Sequence, residues 1–290
     1  MSSMRIGAVV PHHEIGDDPG AIRAYAEGVE AMGIDHLLIY DHVLGAPRDR
    51  AGGFDGPYDS ATAFHEPMVF FGFVAAVTTR VDLVTAILIL PQRQTALVAK
   101  QAAELAILSG NRFKLGIGVG VNRVEFDALG EDFHTRGRRQ EEQVDLMRRL
   151  WTEDVISYRG DFHRFDDAGI LPRPSGPIPI LFGGSAPRTL DRCARLGDGW
   201  IPIGSPNEKS TARIAELRAR REAAGRPWDG FEIRAQAQYR GGDPERWRNH
   251  ANAWRELGAT HLAIATHNAD PTDIDGHLAR IAEFRSAIAA

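Results

Sequence analysis

Cysteine is nearly absent: Cys193 is the only one in 290 residues, so no disulfide can form within the chain. It falls in a segment of helical amphipathicity, Thr189 to Leu196, and reads as an inert, partly buried thiol. Excess charge is also scarce. A net charge of −5 supplies no basic field for phosphate backbones or anionic membranes, so neither nucleic acid nor membrane is an expected partner. No apolar run approaches the length of a bilayer span. Met1 to Arg5 leads straight into a β-type run without a signal-peptide core, and a cytoplasmic location is expected. Long polar or repetitive tracts are missing, and 43% hydrophobic residues suffice for a packed interior, which excludes extensive disorder. The turn after the first β-type run is Pro11-His12-His13, which is no dinucleotide fingerprint. The eleven histidines include no HExxH pair, so metal-dependent hydrolysis is a distant alternative and no metal ligand is assigned.

What is present is an alternation of short β-type runs with longer stretches of helical period, the pattern of parallel strands joined by helical crossovers. Strands are expected at Arg5 to Val10, His36 to Tyr40, Val81 to Leu90, Arg112 to Val119, Ile178 to Phe182, Gly199 to Ile203, Phe231 to Tyr239 and Thr260 to Ala265. Helices fill the intervals. The first spans Pro19 to Met32, with Asp17 and Asp18 as candidate caps and Gly33 as terminator. Others cover Glu66 to Thr79, Leu97 to Leu108, Arg136 to Trp151 and Pro271 to Ile288, with a shorter turn through Asn122 to Leu129. Gly45 to Tyr58 reads as a long loop, and Val155 to Phe165, around Gly160-Asp161, as a small inserted hairpin. Eight strands with helical crossovers predict an α/β fold of the (β/α)8 TIM-barrel class, one domain over residues 1–290.

Active sites of such barrels form where strand C-termini feed their loops. Gly183-Gly184-Ser185 after strand five offers backbone N–H groups and a hydroxyl at a helix start. It reads either as a phosphate site or as a plain turn with Ser185 as N-cap. Gly116, Gly118 and Gly120 at the end of strand four would let a planar ligand approach the backbone. His42 is a candidate for proton transfer, with Asp41 holding the backbone or a ligand group; the alternative is a structural histidine capping the barrel mouth. His12 is open to the same two readings, as a substrate contact or as structure. Trp151 and Trp200 read as packing, and Arg136 to Arg139 as a solvated helix start.

The order of Val84 to Pro91, then Ser109-Gly110-Asn111-Arg112 through Gly118, resembles the luciferase-like monooxygenase superfamily. The likeness extends over Asn122, Glu125-Phe126, Leu129-Gly130, Phe133, Arg136-Gly137, Asp41-His42, Gly183 to Ser185 and Gly197 to Trp200. Within it, the chain is most similar to deazaflavin-dependent oxidoreductases that use coenzyme F420. The resemblance implies a homodimeric barrel that passes a hydride between cofactor and a small organic substrate. It implies a cis peptide bond between Ala86 and Ile87, making a bulge under the cofactor ring. It also places Asp41 and His42 near the reactive face, Val119, Gly120 and Asn122 along the cofactor, and Gly183, Gly184 and Ser185 at its phosphate. Flavin-using luciferases carry an arginine where this chain has Val119, which tilts the cofactor toward F420 and away from FMN. A His-Pro pair is replaced by Gln94-Thr95, and the glutamate that sugar-phosphate dehydrogenases place after strand four is missing, so no sugar phosphate is inferred. The nearest alternative is an FMN monooxygenase supplied by a separate reductase partner; a non-catalytic cofactor-binding barrel is more distant.

Overall fold

The computed structural model describes residues 4–56 and 58–289. Met1 to Ser3, at the head of the segment read as leaderless, and Pro57, within the loop expected from Gly45 to Tyr58, lie outside the described residues. The barrel strands are β1 (Arg5–Val9), β2 (His36–Ile39), β3 (Asp82–Thr85) with its continuation β4 (Leu88–Ile89), β5 (Phe113–Gly118), β8 (Ile180–Gly183), β9 (Gly199–Ile201), β10 (Glu232–Gln238) and β11 (His261–Ala265). Each pairs in parallel with the next, and β11 returns to β1, so the (β/α)8 barrel expected from the alternation closes. Around it lie α1 (Pro19–Ala31), α2 (Pro67–Val77), α3 (Thr95–Leu108), α4 (Arg123–Leu129), α5 (Arg136–Thr152), α6 (Pro187–Leu196), α7 (Glu208–Ala223), α8 (Pro244–Glu256) and α9 (Ile274–Ala289). The inserted hairpin is β6 (Ile156–Arg159) with β7 (Arg164–Ala168), antiparallel as expected.

Local chemistry explains most helix starts. Asp18 Oδ1 accepts from Gly20 N at 2.9 Å to cap α1, and Gly33 leaves it at φ 72°. Glu66 Oε2 accepts from Val69 N at 2.8 Å to cap α2. Three expectations shift. The turn through Asn122 to Leu129 is a helix, α4, capped by Asn122 Oδ1 on Val124 N at 3.1 Å. The last helix starts at Ile274 instead of Pro271, behind Asp273, whose Oδ1 accepts from Gly276 N at 2.8 Å. The third strand is not the continuous run Val81 to Leu90: it breaks between β3 and β4, and the Ala86–Ile87 bond there is cis, as the resemblance implies. Ala86 N still donates to Ile39 O at 2.7 Å, but Ile89 N turns to the Asp41 side chain at 2.8 Å, so a carboxylate takes over the ladder beyond the break.

Two-residue periodicity sorts the strand side chains into an outer core against the helices and an inner column. The middle of that column is apolar: Val9, Leu38, Val84, Leu181, Ile201 and Ala263. Its floor, at the N-terminal end, is polar. Arg5 Nη1 donates to Asp82 Oδ2 at 2.9 Å, Lys114 Nζ to Glu232 Oε1 at 2.6 Å, and Arg234 Nε to Glu232 Oε2 at 2.6 Å. His36 fills the space over Gly7, where a Cβ would stand 2.2 Å from its Nε2, and meets His261 edge-on at 5.1 Å. Among the described residues no helix is long and apolar enough to cross a membrane.

Candidate active site

The C-terminal ends of the strands surround a cavity of about 1010 Å³. Ala86, Ile87, Val119, Gly120, Asn122, Gly183, Gly184, Ser185 and His42 all line it, so the structure brings together nine residues named from sequence around one cavity. Asp41 and His12 do not line it. Asp41 lies beneath, with Oδ1 accepting from Arg93 Nη2 at 2.7 Å and Oδ2 from Ile89 N. Burial pushes its carboxyl above the ordinary range, against the pull of the Arg93 guanidinium. Arg93 also reaches Glu66 Oε1 at 2.8 Å, so the break in the third strand is tied to the start of α2. His12 accepts from Tyr40 N at Nε2, 3.1 Å, which fixes its proton on Nδ1. Burial first, then neighbouring His13, holds its pKa down to about 3, so it supports strand β2 as a neutral ring.

The glycines do something other than admit a planar ligand. A Cβ on Gly116 would stand 1.8 Å from Thr85 O, one on Gly118 1.7 Å from Ile87 Cδ1, and one on Gly183 2.5 Å from Ile87 Cγ2. Their missing side chains are therefore replaced by the chain itself: Ile87 drops inward at the break and fills the gap between β5 and β8. Gly120, at φ 72°, turns the backbone across Ile89.

The residue that sequence reasoning missed is Glu125. From α4 its buried carboxylate reaches His42 Nδ1 at 3.0 Å, while Oε1 also accepts from Val43 N at 2.9 Å and Oε2 from Gln92 Nε2 at 3.1 Å. Burial raises its pKa, but the bonds from His42, Gln92 and Val43 outweigh this and hold it below the ordinary value. An ionised Glu125 keeps a proton on His42 Nδ1. The other ring nitrogen, Nε2, is left to accept a proton or, in the charged ring, to give one. Tyr58 and Phe64, each 5.0 Å from the imidazole by ring centroids, pack edge-on against it. Tyr40 OH donates to Gln236 Oε1 at 2.6 Å across the cavity.

At the glycine turn the N-cap of α6 is Ala186 rather than Ser185, and it makes no side-chain capping bond. Ser185 Oγ is buried without a partner among the described residues. Trp200 is packed, as expected, but its Nε1 also donates to Gly184 O at 2.7 Å and so fixes the turn at φ 109°. Asn122 spends both amide atoms on protein, capping α4 and reaching Leu44 O at 3.3 Å. Cys193 is buried, its thiol raised by burial and 3.4 Å from Gly199 O, consistent with inertness. Among the described residues no three His, Cys, Asp or Glu side chains converge as a metal set.

Comparison with known proteins bears on what this cavity is. The profile of the luciferase-like monooxygenase family matches residues 4–287. An uncharacterized protein of Mycobacterium tuberculosis is 35% identical over 74% of this chain and 74% of its own. An F420-dependent glucose-6-phosphate dehydrogenase of Kineococcus radiotolerans is 33% identical over 72% of this chain and 60% of its own length. An FMNH(2)-dependent dimethylsulfone monooxygenase of Pseudomonas fluorescens is 36% identical over 55% and 44%. An F420-dependent secondary alcohol dehydrogenase, solved in complex with an F420-acetone adduct, superposes with a TM-score of 0.78 at 18% identity over 99% of both chains. A closed parallel barrel with its cavity at the strand C-termini, broken at Ala86–Ile87 and matched end to end by one family profile, belongs to the luciferase-like monooxygenase family of oxidoreductases.

Proposed function

We propose that this protein is a cytoplasmic F420-dependent oxidoreductase that moves a hydride between the deazaflavin and a small organic substrate. The observation that carries the reading is the His42–Glu125 pair on the same cavity as the inward turn at Ala86–Ile87. A bound deazaflavin supplies the carbon that gives or takes the hydride. The chain supplies the rest. Ala86, Ile87, Val119, Gly120 and Asn122 would hold the ring, and Ser185 with the Gly183–Gly184 turn would hold the phosphate; the orphaned Ser185 hydroxyl fits that assignment. His42 Nε2 exchanges the proton that balances the hydride, and Glu125 holds the ring in the tautomer for doing so. Asp41 and Arg93 position the bulge from below, and Tyr58 and Phe64 keep water from the imidazole.

Val119 leaves that wall aliphatic, which favours F420 over FMN. The FMN monooxygenase reading draws its support from the Pseudomonas relative and would need a reductase partner. A non-catalytic carrier is disfavoured by the open space between the inward turn and Gln236. A homodimer belongs to the proposal: α2 is apolar around most of its surface and leaves Val69 72% exposed, and the neighbouring α3 leaves Leu97 53% exposed. The test is a pair of fluorescence titrations of apoprotein with F420 and with FMN. Tight binding of F420 alone supports the proposal, and tight binding of FMN alone overturns it in favour of the monooxygenase.

A further inference from the structure

With the cofactor assigned to the bulge, the Val119 wall and the Ser185 turn, the rest of the cavity is bounded by the ends of β9, β10 and β11. Where β10 runs into α8, this wall carries Arg240, Arg246, Trp247 and His250. Arg246 Nη2 donates to Tyr239 O at 2.6 Å and to Arg240 O at 3.3 Å, both neutral carbonyls. Neither arginine has a carboxylate within ion-pair distance among the described residues, whereas Arg5, Lys114 and Arg234 at the other end of the barrel all do. The acids close by in the chain are committed elsewhere: Asp243 Oδ1 accepts from Arg246 N at 3.0 Å to cap α8, and Glu283 accepts from Tyr239 OH at 2.6 Å. Trp247 is 1% exposed, and its Nε1 has no acceptor among the described residues. His250 is held below its ordinary pKa by burial first and then by Arg246 and Arg240, so the two guanidinium groups lie close enough to be felt there. Two guanidinium groups, Arg240 exposed and Arg246 half-buried, thus stand at this corner without an anion among the described residues, beside the buried Trp247 N–H, and an unmet buried donor is costly to leave so.

We propose that Arg240, Arg246 and Trp247 form an anion subsite at the β10–α8 corner, which takes a carboxylate or phosphate group of the substrate. The His42 ring is packed by Tyr58 and Phe64 and held by Glu125, and no Arg or Lys bonds to it among the described residues. The substrate is therefore an organic acid whose acidic end lies away from the carbon that faces His42. The second half of this statement rests on the hydride-transfer reading; anion binding does not. The same acidic chemistry could come from the cofactor's own oligoglutamate tail, and the test separates the two sources.

Calorimetric titration of apoprotein with glutarate, inorganic phosphate and neutral glutaramide is the first arm. Glutarate and phosphate are expected to bind in competition, and glutaramide is not. Arg240→Gln, which removes a side chain with no protein hydrogen bond among the described residues, is expected to weaken glutarate about tenfold, the scale of one charge-assisted bond; Arg246→Gln should do the same. Absence of anion binding in the parent protein, or unchanged binding in both variants, overturns the subsite. The second arm compares F420 with a deazaflavin lacking the glutamates. If Arg240→Gln weakens only the tailed cofactor, and F420-loaded protein no longer takes glutarate, the assignment to substrate is overturned. Undiminished glutarate binding to the loaded protein supports it. Should anions bind while no deazaflavin does, the subsite stands and the cofactor reading fails.

Discussion

At the floor of the barrel Glu232 neutralises Arg234 and Lys114, and Asp82 pairs with Arg5; at the mouth Arg240 and Arg246 line the cavity with no carboxylate in reach among the described residues. The floor charges are brought together by strand register, since Arg5 lies opposite His261 and Arg234 opposite it on the other side. Arg234 and Lys114 hold the Glu232 carboxyl down to about 2 in spite of burial. Of the mouth arginines, Arg240 stands on a turn, with Arg240, Gly241 and Gly242 all at positive φ, and Arg246 in the first turn of α8 that follows it. The contrast separates two uses of charge. Charges closed on one another serve the fold, and removing one member is expensive, whereas charges left open at a loop serve a ligand.

The widest test of that contrast is pH, because both ends also hold neutral buried histidines. His261 at the floor is pushed down to about 2, His12 near the mouth to about 3, and His277 to about 4, each chiefly by burial. The unfolded chain therefore binds more protons than the folded one below about 6.5, so stability is full above that value and is lost as pH falls toward 4. At pH 5 each contributes a loss of about 2 kcal/mol. Urea melts at pH 7 and pH 5 should differ accordingly, and equal midpoints would sink the idea that these rings are buried neutral.

The next effect belongs to the mouth alone. His42→Ala should lower turnover by about 10² to 10⁴-fold with little change in melting temperature. Glu125→Gln, which acts through His42, should lose part of the same rate. If His42→Ala turned over at the parent rate with cofactor affinity unchanged, the proton role would be lost. Glu232→Gln should do the reverse. It leaves Arg234 without its anion and Lys114 with only the more distant Asp82 at 4.0 Å, and destabilises by about 3 kcal/mol, the low end for a broken buried pair because Glu232 is partly exposed. Cofactor affinity of the folded protein should not move; a change there would mean that floor and mouth are coupled. The smallest effect is Ser185→Ala, expected to weaken cofactor binding several-fold, or about 1 kcal/mol, by fluorescence titration. Unchanged affinity would remove Ser185 from the phosphate site.

The barrel was legible because strand and helix periods differ, and the eight β-type runs carry theirs plainly. The break at Ala86–Ile87 was not: Val81 to Leu90 is as apolar as any buried strand, and only the resemblance pointed to it. Glu125 was hidden by a stronger local signal. Asn122 with Glu125 three residues on has the spacing of a capping box, in which the glutamate reaches back to its own helix. Here it reaches instead to His42, 83 residues earlier. The glycines of β5 were read as room for a ligand because sequence names what is missing from a position, never what fills it. Asp41 and His12 were placed at the right loops, but one residue's change of direction puts a side chain under the cavity wall rather than on it.

Ile87 closes the gap left by Gly118 and Gly183 with a single side chain. The depth of the cavity is therefore gauged by one side chain resting on two absences, in strands that never touch it through side chains of their own. Adding a methyl at either glycine would not narrow the chamber from the side. It would jack Ile87 upward and raise the floor of the chamber, and shortening Ile87 to valine would lower that floor by about one carbon.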